Sequence, residues 1–364
     1  MALVPAPALR VARFLGAPIY ITWSWLLFVA VIVPLYTQRL NDWLSPGAAI
    51  GTAFALALMW GLSVLLHELG HVAAARLTGC EVERVEVGFL GGATIIHSAD
   101  DSPGRELAVA AAGPAVSIAL GVPGGIGMLT GTGASLGLDG IPGMFVSAVT
   151  LANLAIAAFN LLPGLPLDGG RVAVAILWRA IGDRNRATAI ASYVGQAIAV
   201  VIAGYAASRV IRTPNPASEI PWVVILAVMS ASLWSMAVRS RQEAHRDSAL
   251  AGQLVVERLT PIDVLDGDLP AAALTTASTP FVLVQTARGL GYVDRSAASA
   301  EATVGELATV LPPHRVLGES ATLLELRTAI REHGDAWYAV VAADGMPLGI
   351  AGAQALAAQA PGDR

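Results

Sequence analysis

With 364 residues, 55% of them hydrophobic and only 13% charged, the chain falls well short of the roughly 25% charged residues of an ordinary soluble domain. Its mean hydropathy of +0.63 fits a multi-span membrane protein with room for a further domain. A formal net charge of -5 offers no basic surface for nucleic acid, and the single Cys80 excludes an intramolecular disulfide framework and a multi-cysteine metal site.

Residues 1–17 contain prolines and carry Arg10 and Arg13. The first apolar span is expected from about Ile19 to Thr37, with Trp23 and Trp25 near one end and Tyr36 near the other as interfacial anchors. It is long and has no small-residue cleavage site, so we expect a retained membrane helix and not a signal peptide.

The second span starts near Ala48 and runs past Leu77. It contains Leu65-Leu66-His67-Glu68-Leu69-Gly70-His71-Val72. Residues i and i+4 share a helix face, so both imidazoles can reach one metal ion. Zinc is the usual ion for such a pair, and Glu68 stands where it can take a proton from a water on that metal. The competing reading is two histidines and a glutamate hydrogen-bonded in a helical core. Against it, the charged motif lies in an otherwise apolar helix, where ionisable groups mark function. At 1.5 Å per residue His67 lies about 28 Å from the start of the span, near the far face of a bilayer core about 30 Å thick, where water has access.

Glu81 to His97 alternates apolar and charged residues around a turn and reads as a short β-hairpin. Its free edge could take an extended substrate as a further strand. A polar turn is expected at Asp100 to Pro103, then a third span from about Leu107 to Leu129 that includes Gly113-Pro114. A Gly-rich loop is expected at Gly131 to Pro142. The fourth span, about Met144 to Leu162, carries Asn153 and Asn160 and ends in Leu162-Pro163-Gly164-Leu165-Pro166-Leu167-Asp168-Gly169-Gly170-Arg171. The prolines stop the helix. They leave Asp168 on irregular chain at membrane depth, tolerated where the chain is buried in protein or lines a wet cavity. The alternative is a turn with an exposed aspartate.

HELGH in one span, AAGPAVS in the next and NLLPGLPLDGGR after a third together resemble the site-2 protease family of intramembrane zinc metalloproteases. The resemblance implies His67, His71 and Asp168 as ligands of one zinc ion per chain, Glu68 as general base, and Asn160 as a substrate or oxyanion contact. Ser117 stands where many relatives place an asparagine. The resemblance also implies a single-span membrane protein as substrate, such as an anti-sigma factor or sigma-factor precursor.

The helix after Arg171 is expected to reach about Ala180. A fifth span is expected at about Ala189 to Ile211 and a sixth at Pro221 to Val238. An even number of spans puts both termini on one side. Arg10, Arg13, Arg239 and Arg241 are among the many arginines of that side, whereas Arg39, Arg209 and Arg212 lie opposite. The bias predicts cytoplasmic termini in a multi-pass protein of the cell membrane. All 22 basic residues are arginine, which we read as the coding bias of a high-GC bacterium.

From about residue 251 the long apolar runs stop. FVLVQTARGLGYVD and YAVVAADGMPLGIAG repeat a strand-turn-strand unit, with a helix at Leu323 to His333 between them. This repeat resembles a tandem pair of CBS domains, which implies an adenine nucleotide ligand or a homodimer contact. The Ser/Thr-x-x-Asp ribose contact is not evident after either strand pair. The expected fold class is therefore a polytopic α-helical membrane protein of about six transmembrane helices with a short β-hairpin, followed by a cytosolic α/β tandem CBS-like domain. The expected bounds are a metalloprotease domain at 1–240, a linker at 241–250 and a regulatory domain at 251–364. The expected function is a zinc endopeptidase cleaving membrane proteins near the cytoplasmic face. A CBS-gated transporter or channel and a non-catalytic membrane scaffold are the rivals.

Overall fold

The computed structural model describes residues 8–88, 91–97, 102–132, 140–213, 216–297 and 301–357. The chain divides into two compact units, Met1–Ala244 and His245–Arg364.

The first unit begins with two strands, β1 (Ala8–Phe14) and β2 (Ala17–Thr22), then helices α1 (Trp23–Leu40) and α2 (Pro46–Leu77). Strands β3 (Glu81–Gly88) and β4 (Gly91–His97) follow, then α3 (Pro103–Thr130), α4 (Gly140–Asn160), α5 (Asp168–Ile181), α6 (Arg184–Arg212) and α7 (Pro216–Ala251). Among the described residues six helices are long and apolar enough to cross a membrane: α1, α2, α3, α4, α6 and α7. Residues 241–250, read as a linker from sequence, lie within helical α7. Residues 100–101 of the expected turn and 133–139 of the expected loop lie outside the described residues, whereas Gly140 to Pro142, expected in the loop, begin α4.

Local chemistry sets the helix ends. Proline occupies the first turn of α2 and of α3, where its missing N–H costs nothing. The Ser102 hydroxyl accepts from the Arg105 backbone N–H to cap α3, and the Asp183 carboxylate accepts from Arg186 N–H to cap α6. Gly182, at φ 81°, closes α5 in the left-handed conformation. The outward face of α2 stays apolar, with Phe54, Leu58 and Leu62 exposed, a surface suited to hydrocarbon surroundings.

Two further expectations need correction. The first helix begins at Trp23, because Ala17–Thr22 is a strand. The hairpin is half of a four-stranded sheet, ordered β1-β2-β3-β4. β2 and β3 pair in parallel, Ile19 opposite Val85, and α1 and α2 form the crossover that parallel pairing requires. β3 and β4 are antiparallel, with Val85 opposite Thr94. A register shift between Val82 and Arg84 changes the side-chain alternation, so Val82 and Val85 are both buried. They pack with Ala17, Ile19, Val72 and Ala75 in one core, which fixes the sheet to the end of α2 that carries His67 and His71.

The second unit repeats one motif. Short β5 (Val264–Asp266) runs parallel to β6 (Phe281–Thr286), which forms a hairpin with β7 (Gly289–Asp294), and β8 (Thr309–Val310) completes that sheet. Likewise β9 (Val316–Gly318) runs parallel to β10 (Trp337–Val341), which forms a hairpin with β11 (Pro347–Gly352). Matching capping boxes, Thr303 with Glu306 and Thr322 with Glu325, start the short α8 (Val304–Leu307) and the longer α9 (Leu323–His333). The Asp263 carboxylate accepts from the backbone N–H and hydroxyl of both Ser278 and Thr279. Chiefly the Thr279 N–H, then the two hydroxyls, hold its pKa below the ordinary aspartate value.

Candidate metal centre

α2 supplies His67 and His71 from one face, one turn apart, with ring centroids 5.0 Å apart and ring planes at 80°. Asp168 is the first residue of α5, so it stands on a helix N-terminus and not on the irregular chain expected from sequence. Its Oδ2 lies 3.0 Å from His67 Nε2 and 3.3 Å from His71 Nε2. Both histidines are almost fully buried, and the Asp168 side chain is 14% exposed.

The loop before Asp168 explains why the aspartate reaches this point. Leu165 N–H donates to Ala191 O, and Leu167 N–H donates to Gly164 O. Gly195 of α6 lies so close to Leu165 that a Cβ there would strike the loop backbone. Glu106, at the start of α3, accepts from Arg171 Nε at 2.8 Å, with Arg184 3.7 Å away. α5 is thereby tied to α3, the helix that backs both histidines.

The hydrogen-bond pattern tests whether a cation fits. His71 Nδ1 lies 2.7 Å from Val109 O. A carbonyl only accepts, so Nδ1 carries the proton and, in the neutral ring, Nε2 presents a lone pair. That lone pair faces a carboxylate oxygen at 3.3 Å. Two acceptors directed at each other call for a positive charge between them. Two imidazole nitrogens and one carboxylate oxygen within 4.8 Å of one another are a donor set of the catalytic zinc type. A Cβ at Gly113 of α3 would fall on His71 Nε2 and within 2.7 Å of His67 Nε2, so the absence of a side chain there keeps the space open.

Glu68 is buried beside this cluster, on the α2 side facing β4. Thr94 Oγ1 donates to Glu68 Oε2 at 2.6 Å, and Gly92 approaches the same carboxylate so closely that a Cβ there would strike it. Asn160 lies on the last turn of α4, where its Nδ2 donates to Ile156 O of its own helix at 3.1 Å. Asn153 instead reaches α2, donating to Ser63 Oγ at 3.0 Å. Sequence reasoning left out Thr94, Glu106 and the Val109 carbonyl. The signal for Thr94 lay in the strand register, once β4 was seated against α2. Backbone carbonyls carry no residue signal.

Residues 53–137 and 124–202 match the family model "Peptidase family M50". The match supports the site-2 protease (M50) family. It contains both α2 histidines, Glu68 and Asp168. A "Putative zinc metalloprotease" of Synechocystis sp. is 38% identical over 193 residues, which cover 52% of this chain and 49% of that protein. A solved structure, the "Site-2 Protease from Methanocaldococcus jannaschii", is similar at 26% identity and TM-score 0.46, covering 65% of this chain and 95% of that one. The CBS domain of a bacterial CNNM/CorC family Mg2+ transporter aligns at 17% identity and TM-score 0.25, over 32% of this chain and 81% of that one. The chain spans about half the length of the curated relatives it matches.

Proposed function

We propose that this chain is an intramembrane zinc metalloendopeptidase of the site-2 type. The observation that carries the reading is the convergence of His67 Nε2, His71 Nε2 and Asp168 Oδ2 beside the Glu68 carboxylate. These three residues would hold one zinc ion per chain. Zinc, when bound, supplies Lewis acidity that acidifies a water molecule and polarises a peptide carbonyl. Glu68 takes the proton from the water and later returns it to the leaving amine. Thr94, bonded to Oε2, holds the carboxylate in one orientation and leaves Oε1 for the proton. Asn160 would turn its Nδ2 from Ile156 O toward the developing oxyanion.

The substrate in this reading is a single-span membrane protein, cut near the cytoplasmic face in the manner of an anti-sigma factor or sigma-factor precursor. Its helix must unwind first, because helical carbonyls are engaged in the i to i−4 ladder. β4 ends the sheet and carries Thr94 against Glu68, so an extended segment added to that edge would pass beside the base. Residues 1–240 would form the protease domain, multi-pass in the cell membrane with both termini cytoplasmic. Residues 251–364 would form a tandem CBS-like regulatory domain, with an adenine nucleotide site or a homodimer contact as its role.

The test is metal removal. The full chain purified in detergent should cleave a single-span test substrate, lose that activity when zinc is chelated, and regain it with added Zn2+. Cleavage that survives a preparation shown by elemental analysis to be zinc-free would overturn the proposal.

A further inference from the structure

α3 supplies no candidate ligand, yet it contacts the outer nitrogen of both histidines, and the two contacts differ in kind. His71 Nδ1 meets Val109 O, a pure acceptor, which fixes one tautomer. His67 Nδ1 meets the Ser117 hydroxyl at 3.0 Å, and a hydroxyl both donates and accepts. Ser117 is fully buried, and His67 is only 2% exposed, so neither group has water as a substitute partner. His67 Nε2 lies 3.0 Å from Asp168 Oδ2, so each ring nitrogen of His67 has one polar neighbour. A cation held at Nε2 takes that nitrogen's lone pair, so in the neutral ring Nδ1 carries the proton and donates to the Ser117 oxygen.

We propose that Ser117 is the positioning residue of His67: its hydroxyl accepts from His67 Nδ1 and so aims the Nε2 lone pair at the zinc position. An alanine at 117 leaves the loaded tautomer with a buried N–H and no acceptor, and a buried unpaired donor is costly. The proposal rests on the zinc-site reading, but it concerns metal affinity and the ring of His67, and cleavage does not decide it.

The experiment is zinc affinity of the full chain in detergent, measured by competition with a chromogenic chelator. Ser117→Ala should weaken zinc binding by about 10- to 100-fold, the usual effect of losing such an outer partner. Ser117→Cys, nearly the same size with a weaker hydrogen-bonding group, should fall between the two, and it takes the place of the alanine variant if that protein does not fold. The variants should lose more melting temperature with zinc bound than without it, whereas a general packing defect would lower both equally. In a His67→Ala background Ser117→Ala should leave residual zinc affinity unchanged within about twofold, because the two effects then share one route. Zinc affinity of Ser117→Ala within threefold of wild type, or the same loss with His67 already removed, would overturn the proposal. Zinc binding without cleavage in wild type would instead count against the protease reading and leave this inference standing.

Discussion

Gly113 offers the sharpest single perturbation of the metal centre. A methyl group at this position would lie 2.7 Å from His67 Nε2 and closer still to His71 Nε2. Ordinary contact needs about 3.5 Å, so His67 must retreat by roughly 0.8 Å and His71 by more. Ligand distances at zinc tolerate only about 0.2 Å. The retreat is several times that tolerance, so Gly113→Ala should reduce zinc affinity by more than the roughly 100-fold cost of losing an outer partner. Stability should change little by comparison. Overpacking costs about 1–3 kcal/mol, and replacing a mid-helix glycine with alanine returns about 1 kcal/mol. The variant should therefore fold, with a zinc-free melting temperature near that of wild type. Bound zinc after dialysis, measured by elemental analysis on the full chain, is the assay. A folded Gly113→Ala protein with one zinc per chain and wild-type affinity would refute the assignment of the site to these three atoms.

Two further predictions address the base and the second unit. Thr94→Val removes the donor at Glu68 Oε2 and should lower kcat about tenfold, a fraction of the roughly 100-fold or more that a general base contributes, with zinc content unchanged and activity recovered in Thr94→Ser; an unchanged kcat would remove Thr94 from the mechanism. The pKa of Asp263 is lowered in the folded state, so its stabilising effect is present above the ordinary aspartate value and is lost as pH falls through the folded one. Asp263→Asn should melt lower than wild type at pH 7, and the gap should close as pH drops below about 3.9; a gap independent of pH would contradict this.

The parts of the fold and site that were legible in the sequence were those written in local pattern. The i, i+4 spacing put His67 and His71 on one face, and the proline-glycine run isolated Asp168 at the end of a span. The long apolar helices were visible from hydropathy alone. What escaped depended on contacts between distant segments. Ala17–Thr22 is apolar and runs directly into α1, so nothing local separates strand from span; its partner β3 lies beyond two helices. Ser117, a minor position in the sequence, gained its role once α3 lay against α2 and brought the hydroxyl to His67 Nδ1. Asn160 was legible as part of a motif, but its side chain bonds within its own helix, so its proposed role depends on a rearrangement that sequence does not describe.

The most direct test of the central claim compares wild type with Glu68→Gln, both purified in detergent, for zinc per chain and for cleavage of a single-span test substrate. The account predicts about one zinc per chain in both proteins, with cleavage in wild type alone, because the amide cannot take the proton while the three ligands are untouched. Cleavage by Glu68→Gln at the wild-type rate, or no zinc in either protein, would contradict it.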